Sequence, residues 1–319
     1  MSGLAVIVAF AASWLVLAYL LRSRKFLPMD RPNARSLHVT PTPCIGGIGI
    51  LTGVLAASVW YAGAEFLPVV LIAFLLAALS LLDDVRGLPV ALRFSAHFAA
   101  ALAGLFMISL SGWPWLLGTL VVVWMTNLYN FMDGADGLAG GMATVGFGAL
   151  GIGAWQGGAQ DLAVLCASIS AASLAFLRFN FPPARIFMGD AGSIPLGFLA
   201  AILGIYGIQR GIWHWLFPLL VFAPFVVDAS VTLIRRLLRG EKIWRAHRTH
   251  YYQRVVLMGA SHRQLAWAAY ALMLAGAGTA LLLLPALEHA AILGAAWAVS
   301  YTMIFLMIDW RWHSRRNEH

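Results

Sequence analysis

The sequence predicts an all-α fold: a polytopic membrane helix bundle of about eleven transmembrane helices, N-terminus outside and C-terminus cytoplasmic. Three observations predict it. Of 319 residues, 61% are hydrophobic and only 11% are charged, against about 45–50% and about 25% in soluble globular chains. That excess is too large for a buried core and rules out a water-soluble enzyme or a nucleic-acid binder. The apolar residues fall in runs long enough to cross a bilayer, which takes about 20 residues. The basic residues, finally, are segregated between alternate loops.

The runs lie at about 3–21, 45–62, 66–82, 93–110, 114–130, 138–155, 161–177, 191–208, 212–234, 265–284 and 288–308. The first has no basic residue before it and no cleavage site after it, so it reads as a retained span rather than a signal peptide. The sixth is rich in glycine (Gly140, Gly141, Gly146, Gly148, Gly151, Gly153), which lets neighbouring helices approach closely. With no internal repeat or low-complexity linker, residues 1–319 read as one integral membrane domain. Its cytoplasmic loops are expected at about 22–44, 83–92, 131–137, 178–190 and 235–264. With the N-terminus outside, the cytoplasmic loops and tail hold 20 of the 21 Lys and Arg residues, leaving Arg210 outside. The net charge of +8 is then a cytoplasmic face suited to anionic lipid headgroups and phosphorylated ligands. Cys44 and Cys166 give no metal or disulfide pattern.

The acids are unevenly placed. Glu65, Asp161 and Glu288 fall in short outer turns and read as solvated. Asp83, Asp84, Asp133, Asp136 and Asp190 all fall at cytoplasmic helix ends. Carboxylates at a membrane edge are expensive and have partners, and several at one depth beside basic loops suit a hard cation and phosphates. Asp83 and Asp84 close the third span. Adjacent helical residues point about 100° apart, so one can face a metal while the other faces elsewhere; the alternative is a pair that is solvated or neutralised by Arg86 or Arg93. Asn127, Asn130, Asp133 and Asp136 lie in Asn127-Leu-Tyr-Asn-Phe-Met-Asp-Gly-Ala-Asp-Gly137, where interleaved glycines let carboxylates and backbone N–H groups approach a ligand. An Asx-rich turn is the alternative.

Asn180 and Phe187 precede Gly189-Asp190-Ala191-Gly192-Ser193, which puts a carboxylate at a helix N-terminus, as a Mg2+ ligand or a cap. Arg245-Ala-His247-Arg248-Thr-His250-Tyr-Tyr-Gln-Arg254 lacks a third zinc ligand nearby and suits phosphate binding by charge-assisted hydrogen bonds; a lipid-surface patch is the alternative. Asp228, inside the ninth span, is either structural or part of the site. Asn33, Arg35 and His38 belong to a basic segment that could simply lie on the membrane, and His97 and His214 read as structural.

Together with Arg31-Pro-Asn-Ala-Arg-Ser-Leu-His38, Pro41-Thr-Pro43 and Gly46-Gly47, these segments resemble, in order and spacing, the polyprenyl-phosphate N-acetylhexosamine-1-phosphate transferase family. The resemblance runs to about Gln264. It implies transfer of a sugar 1-phosphate from a UDP-N-acetylhexosamine to undecaprenyl phosphate in the bacterial inner membrane, on the cytoplasmic face, with release of UMP and a need for Mg2+ (or Mn2+ in its place). By resemblance Asp190 is a metal ligand with Asp83 and Asp133, and Asp83 and Asp84 stand at the reaction centre. Asn127, Asn130, Asp133, Asp136, Asn180 and Phe187 look like the nucleotide side, with His38, Arg93 and Arg254 also binding substrate; His247, Arg248 and His250 look like the phosphate-handling loop.

That loop and Ser261-His-Arg-Gln264 are similar to the O-antigen-initiating branch rather than to the peptidoglycan enzyme. Cys44 stands where a basic residue is usual, and His97 where Gln is usual. A homodimer is a family expectation. The rivals are a GlcNAc- or MurNAc-pentapeptide-specific relative, an ion-coupled secondary transporter, and a catalytically silent lipid-binding scaffold. A transporter would place its acids near mid-bilayer and often show paired repeats.

Overall fold

A computed structural model describes residues 2–23, 27–32, 36–61, 65–110, 114–242, 247–283 and 289–317. Asn33, Ala34 and Arg35 of the basic motif, Arg245 and Ala246 of the histidine loop, and Glu288 lie outside the described residues. The described residues are mostly helical: α1 (Ser2–Arg22), α2 (Gly46–Trp60), α3 (Leu67–Arg86), α4 (Val90–Met107), α5 (Pro114–Phe131), α6 (Leu138–Gln156), α7 (Gln160–Asn180), α8 (Asp190–Gln209), α9 (Leu216–Val221), α10 (Ala223–Leu238), α11 (Tyr251–Leu257), α12 (His262–Leu283) and α13 (Ala290–Asn317). A short antiparallel ribbon, β1 (Met29–Asp30) and β2 (Thr42–Pro43), pairs Met29 with Pro43.

Among the described residues, eight helices are long and apolar enough to cross a membrane: α1, α3, α4, α6, α7, α8, α12 and α13. The expected second span forms as α2, of only 15 residues, and the fifth as α5, which carries Asn127 and Asn130 in its last turns. The ninth, expected as one helix, is broken. α9 ends at Val221 and α10 begins at Ala223, with Phe222 between them; Pro224 in the first turn of α10 has no N–H to continue the ladder from α9.

The core runs along α8, which is buried along almost its whole length and packs against α2, α3 and α5. Gly47 and Gly192 let the first turns of α2 and α8 touch: a Cβ on Gly47 would sit 2.2 Å from the Gly192 Cα. The glycines of the sixth span act as the sequence suggests, with Gly140 against the Phe176 ring of α7 and Gly141 against Tyr270 of α12. At one end of the bundle the Glu65 carboxylate, exposed as expected, also accepts from the Tyr206 hydroxyl (2.9 Å) and lies 3.7 Å from Arg210. The other end gathers the segments around 28–44, 84, 130–136, 180–190 and 247–262.

Candidate active site

A cavity of about 580 Å³ opens at that end. Its walls come from stretches far apart in sequence, held together by backbone and side-chain bonds. The N–H groups of Gly46 and Gly47, orphan donors at the start of α2, donate to the carbonyls of Phe187 and Met188 at 2.9 Å, and Phe187 N–H returns to Pro43 O at 2.7 Å. Gly189 then takes φ +72° to enter α8, a left-handed conformation that glycine adopts at little cost. A Cβ there would also meet Cys44 O at 2.3 Å.

Asp84, Asp133 and Asp190 line this cavity from three different elements. Asn130 Nδ2 donates to Asp190 Oδ1 (2.7 Å) and to Ser193 Oγ (3.0 Å). Burial, then the Asp190 charge, holds the Asp133 carboxyl well above the usual carboxylate range, despite a hydrogen bond from the Gly189 N–H. Asp83 does not line the cavity. Its Oδ2 accepts from Arg93 Nη1 at 2.8 Å and its Oδ1 from Leu88 N–H at 2.7 Å. The 100° step between neighbours thus divides the pair: Asp84 faces the cavity, while Asp83, expected as metal ligand and catalytic group, ties α3 to α4. Arg93, expected on substrate, is occupied by Asp83.

The residues expected on the nucleotide side are Asn127, Asn130, Asp133, Asp136, Asn180 and Phe187. All but Asn127 line the cavity; Asn127 donates to Val123 O (2.7 Å) within α5. Asn180 is a scaffold as well as a wall, accepting from Gly137 N–H (2.9 Å) and donating to Ile186 O (2.9 Å). The Asp136 carboxylate accepts from Ala184 N–H at 3.0 Å and lies 3.2 Å from His262 Nδ1. Burial alone would raise its pKa; the bonds from His262 and Ala184 win and hold it below the usual carboxylate range. His38 packs its ring against Phe187 (4.9 Å, 66°) and sits 3.8 Å from Asp30. Cys44 lines the same cavity, and burial followed by the charges of Asp84, Asp30 and Asp190 pushes its thiol up to about 11.

Of the three residues expected to handle phosphate, His247, Arg248 and His250, His247 lines the cavity. Its Nδ1 is 2.9 Å from Thr249 Oγ1, and burial, then His250 and Arg236, push it down to about 4. Arg248 is exposed. His250 is buried in a stack with Phe131 and Tyr252, its Nδ1 3.4 Å from Asp228. Asp228, left open by the sequence, is structural: its two oxygens accept from the Tyr251 and Tyr252 N–H groups, both at 2.9 Å, capping α11. Arg254, expected on substrate, turns away from the cavity to Thr249 O (2.9 Å) and Asp309 (2.8 Å).

His262, Gln253 and Cys44 are cavity residues that were not expected as site groups; the signal for His262 was its place in Ser261-His-Arg-Gln264. Among the described residues, no three His, Cys, Asp or Glu side chains are grouped so as to hold a metal between them. A separate apolar groove of about 630 Å³ runs between α5, α8, α9 and α10, past Leu117, Val121, Trp124, Ile205, Leu219 and Phe222.

The sequence model of glycosyl transferase family 4 matches residues 66–208. A probable undecaprenyl-phosphate N-acetylglucosaminyl 1-phosphate transferase of Bacillus subtilis is 30% identical over 74% of this chain and 71% of its own length. An undecaprenyl-phosphate alpha-N-acetylglucosaminyl 1-phosphate transferase of Yersinia pestis is 31% identical over the same shares, 74% and 71%. A phospho-N-acetylmuramoyl-pentapeptide-transferase of Geobacillus thermodenitrificans is 28% identical over 79% of this chain and 90% of its own.

Proposed function

Since the chain belongs to glycosyl transferase family 4, among its polyprenyl-phosphate hexosamine-1-phosphate transferases, we propose that it moves an N-acetylhexosamine 1-phosphate from a UDP-sugar to undecaprenyl phosphate. In this reading it works at the cytoplasmic face of the bacterial inner membrane and starts O-antigen or a related surface polysaccharide. An oxygen of the lipid phosphate attacks the β-phosphorus of the UDP-sugar, the bond to the α-phosphate oxygen breaks, and UMP leaves. The observation that carries this reading is the convergence of Asp84, Asp133 and Asp190 on one cavity that also holds Phe187, His38 and His247.

Two phosphate groups must meet there, and the carboxylates alone would repel both. The donor set fits Mg2+, which binds through one or two carboxylates and keeps waters and phosphate oxygens as its other ligands; carboxylate and water ligands also suit Mn2+. Asp133 and Asp190 are the protein ligands in this reading, with Asp84 beside them in place of Asp83. When bound, the ion offsets charge on the phosphates as they approach. Asn130 orients Asp190, and Phe187 and Asn180 form the wall for the nucleotide. His247, neutral at pH 7, donates a hydrogen bond to a phosphate oxygen. The apolar groove along α5 takes the polyprenyl chain, Trp124 lying six residues before Asn130.

The O-antigen-initiating branch is preferred to a MurNAc-pentapeptide enzyme in this reading because the distinctive Ser261-His-Arg-Gln264 segment supplies His262, which lines the cavity beside Asp136. The test is direct. Purified protein is assayed for UMP release with undecaprenyl phosphate and a panel of UDP-N-acetylhexosamines, with and without Mg2+. Turnover of one sugar that stops on chelation supports the reading; no turnover with any sugar defeats it.

A further inference from the structure

α13 is a long helix with little bundle to hold. Only 11% of its most apolar stretch is buried. Its buried contacts concentrate on Tyr301 and Phe305, which join Tyr251 and Ala223 in a small cluster apart from the main core. Phe305 lies flat on the Tyr251 ring, with centroids 3.8 Å apart and planes at 5°. One turn later comes Asp309, and both its oxygens are occupied. Oδ1 accepts from Arg254 Nη1 at 2.8 Å; Oδ2 accepts from Arg235 and from the Tyr251 hydroxyl at 3.1 Å. Both guanidinium groups also lie over the Tyr251 ring, at 5.5 Å for Arg235 and 4.8 Å for Arg254.

A carboxylate on a helix otherwise turned toward lipid is costly. This one leads toward the cavity. Arg254, buried and neutralised by Asp309, donates through Nε to Thr249 O at 2.9 Å. Thr249 Oγ1 is 2.9 Å from His247 Nδ1, and His247 lines the cavity. The chain from Asp309 to the imidazole therefore runs through Arg254 to the Thr249 carbonyl, and from the hydroxyl of that same residue to His247. On the opposite side, Asp228 holds the same turn by its N–H groups.

We propose that Asp309 is a positioning residue for the transfer: through Arg254 and Thr249 it fixes the ring of His247 in the cavity. Without it, Arg254 is a buried cation with no carboxylate, a strongly unfavourable state, and its hold on the Thr249 carbonyl loosens. The proposal rests on the transferase reading for its kinetic consequence and not for its structural one.

The experiment has two arms, on full-length protein in detergent or nanodiscs. In the first, hydrogen exchange is followed in wild type and Asp309→Asn. The variant should lose protection in 247–257 and keep it in 130–137; unchanged exchange in 247–257 overturns the proposal. In the second, kcat is compared for wild type, Asp309→Asn, His247→Ala and the double variant. Asp309→Asn should lower kcat about tenfold, equivalent to ~1.4 kcal/mol, and should cost less than about twofold once His247 is gone, with Asp309→Glu restoring part of the loss. An equal loss in both backgrounds shows a general structural role and overturns the proposal, as does full kcat in Asp309→Asn. If the wild type turns over no UDP-sugar, the transferase reading fails, and the exchange arm still decides whether Asp309 holds the loop.

Discussion

Two groups of aspartates share one end of this molecule and are treated in opposite ways. Asp83, Asp228 and Asp309 have both oxygens occupied by N–H or O–H donors; they fasten α3 to α4, α10 to α11 and α13 to α11. Asp84, Asp133 and Asp190 face a common space with few donors aimed at them, and their charges raise one another's cost. A carboxylate with both oxygens supplied by donors is a fastener, whereas one held beside its like with few donors keeps its charge turned to the cavity. The same contrast appears within one loop. Asp136 is drawn below the usual carboxylate range by His262 and Ala184, while Asp133, three residues earlier, is pushed well above it.

The sharpest way to break this division is to neutralise one member of each group. Asp190→Asn should lower Mg2+-dependent UMP release by about 10²–10³ or more, the scale for removing an electrostatic group from a reacting phosphoryl centre, with the melting temperature unchanged or raised. Near-wild-type turnover in a folded Asp190→Asn protein would move it to the fasteners. Asp228→Ala should do the reverse. Loss of both cap bonds on α11 costs ~2–4 kcal/mol, read as a lower melting temperature in detergent. Gly192→Ala probes the frame between the two groups. Its Cβ would meet Met188 Cγ at 2.4 Å and Gly47 Cα at 2.6 Å, for a destabilisation of ~1–3 kcal/mol.

The pH dependence sharpens the comparison further. His247 is held down to about 4 in the fold, against about 6.5 in an unfolded chain. Below 6.5 the unfolded state takes up this proton first, so the stability it contributes is complete above pH 6.5 and is lost as pH falls toward 4. Asp136, also held low, adds a loss that begins only below its unfolded value of 3.8. Melting curves of wild type and His247→Ala should therefore converge between pH 6.5 and 4. The smallest effect is at Cys44. With a thiol near 11 it is protonated at neutral pH, so alkylation by iodoacetamide, followed by mass spectrometry, should be slower than for a free cysteine. Cys44→Ser should change turnover by less than about threefold.

Much of this was legible in the sequence because the chemistry sits in short polar segments set against an apolar background. Asp84, Asn130, Asp133, Asp136, Asn180, Phe187 and Asp190 do meet in one cavity, as helix ends that alternate along the chain must place them. What was not legible depends on partners. Nothing in Asp83-Asp84 says which carboxylate Arg93 takes, and nothing near Arg254 announces Asp309, 55 residues on at the end of a hydrophobic run. The break at Phe222 was hidden because the apolar run continues through it unchanged. The pairing of Gly46 and Gly47 with Phe187 and Met188 is backbone work, for which side chains give no sign.

That pairing bears on how the cavity can move. Because α2 spends its first N–H groups on the carbonyls leading into α8, and the two glycines leave no gap between the helices, those two elements form a single stiff jamb. The facing side hangs from one short helix by a few side-chain ties. Any narrowing of the opening must therefore come from the hung side, and the side that carries Asp190 stays where folding left it.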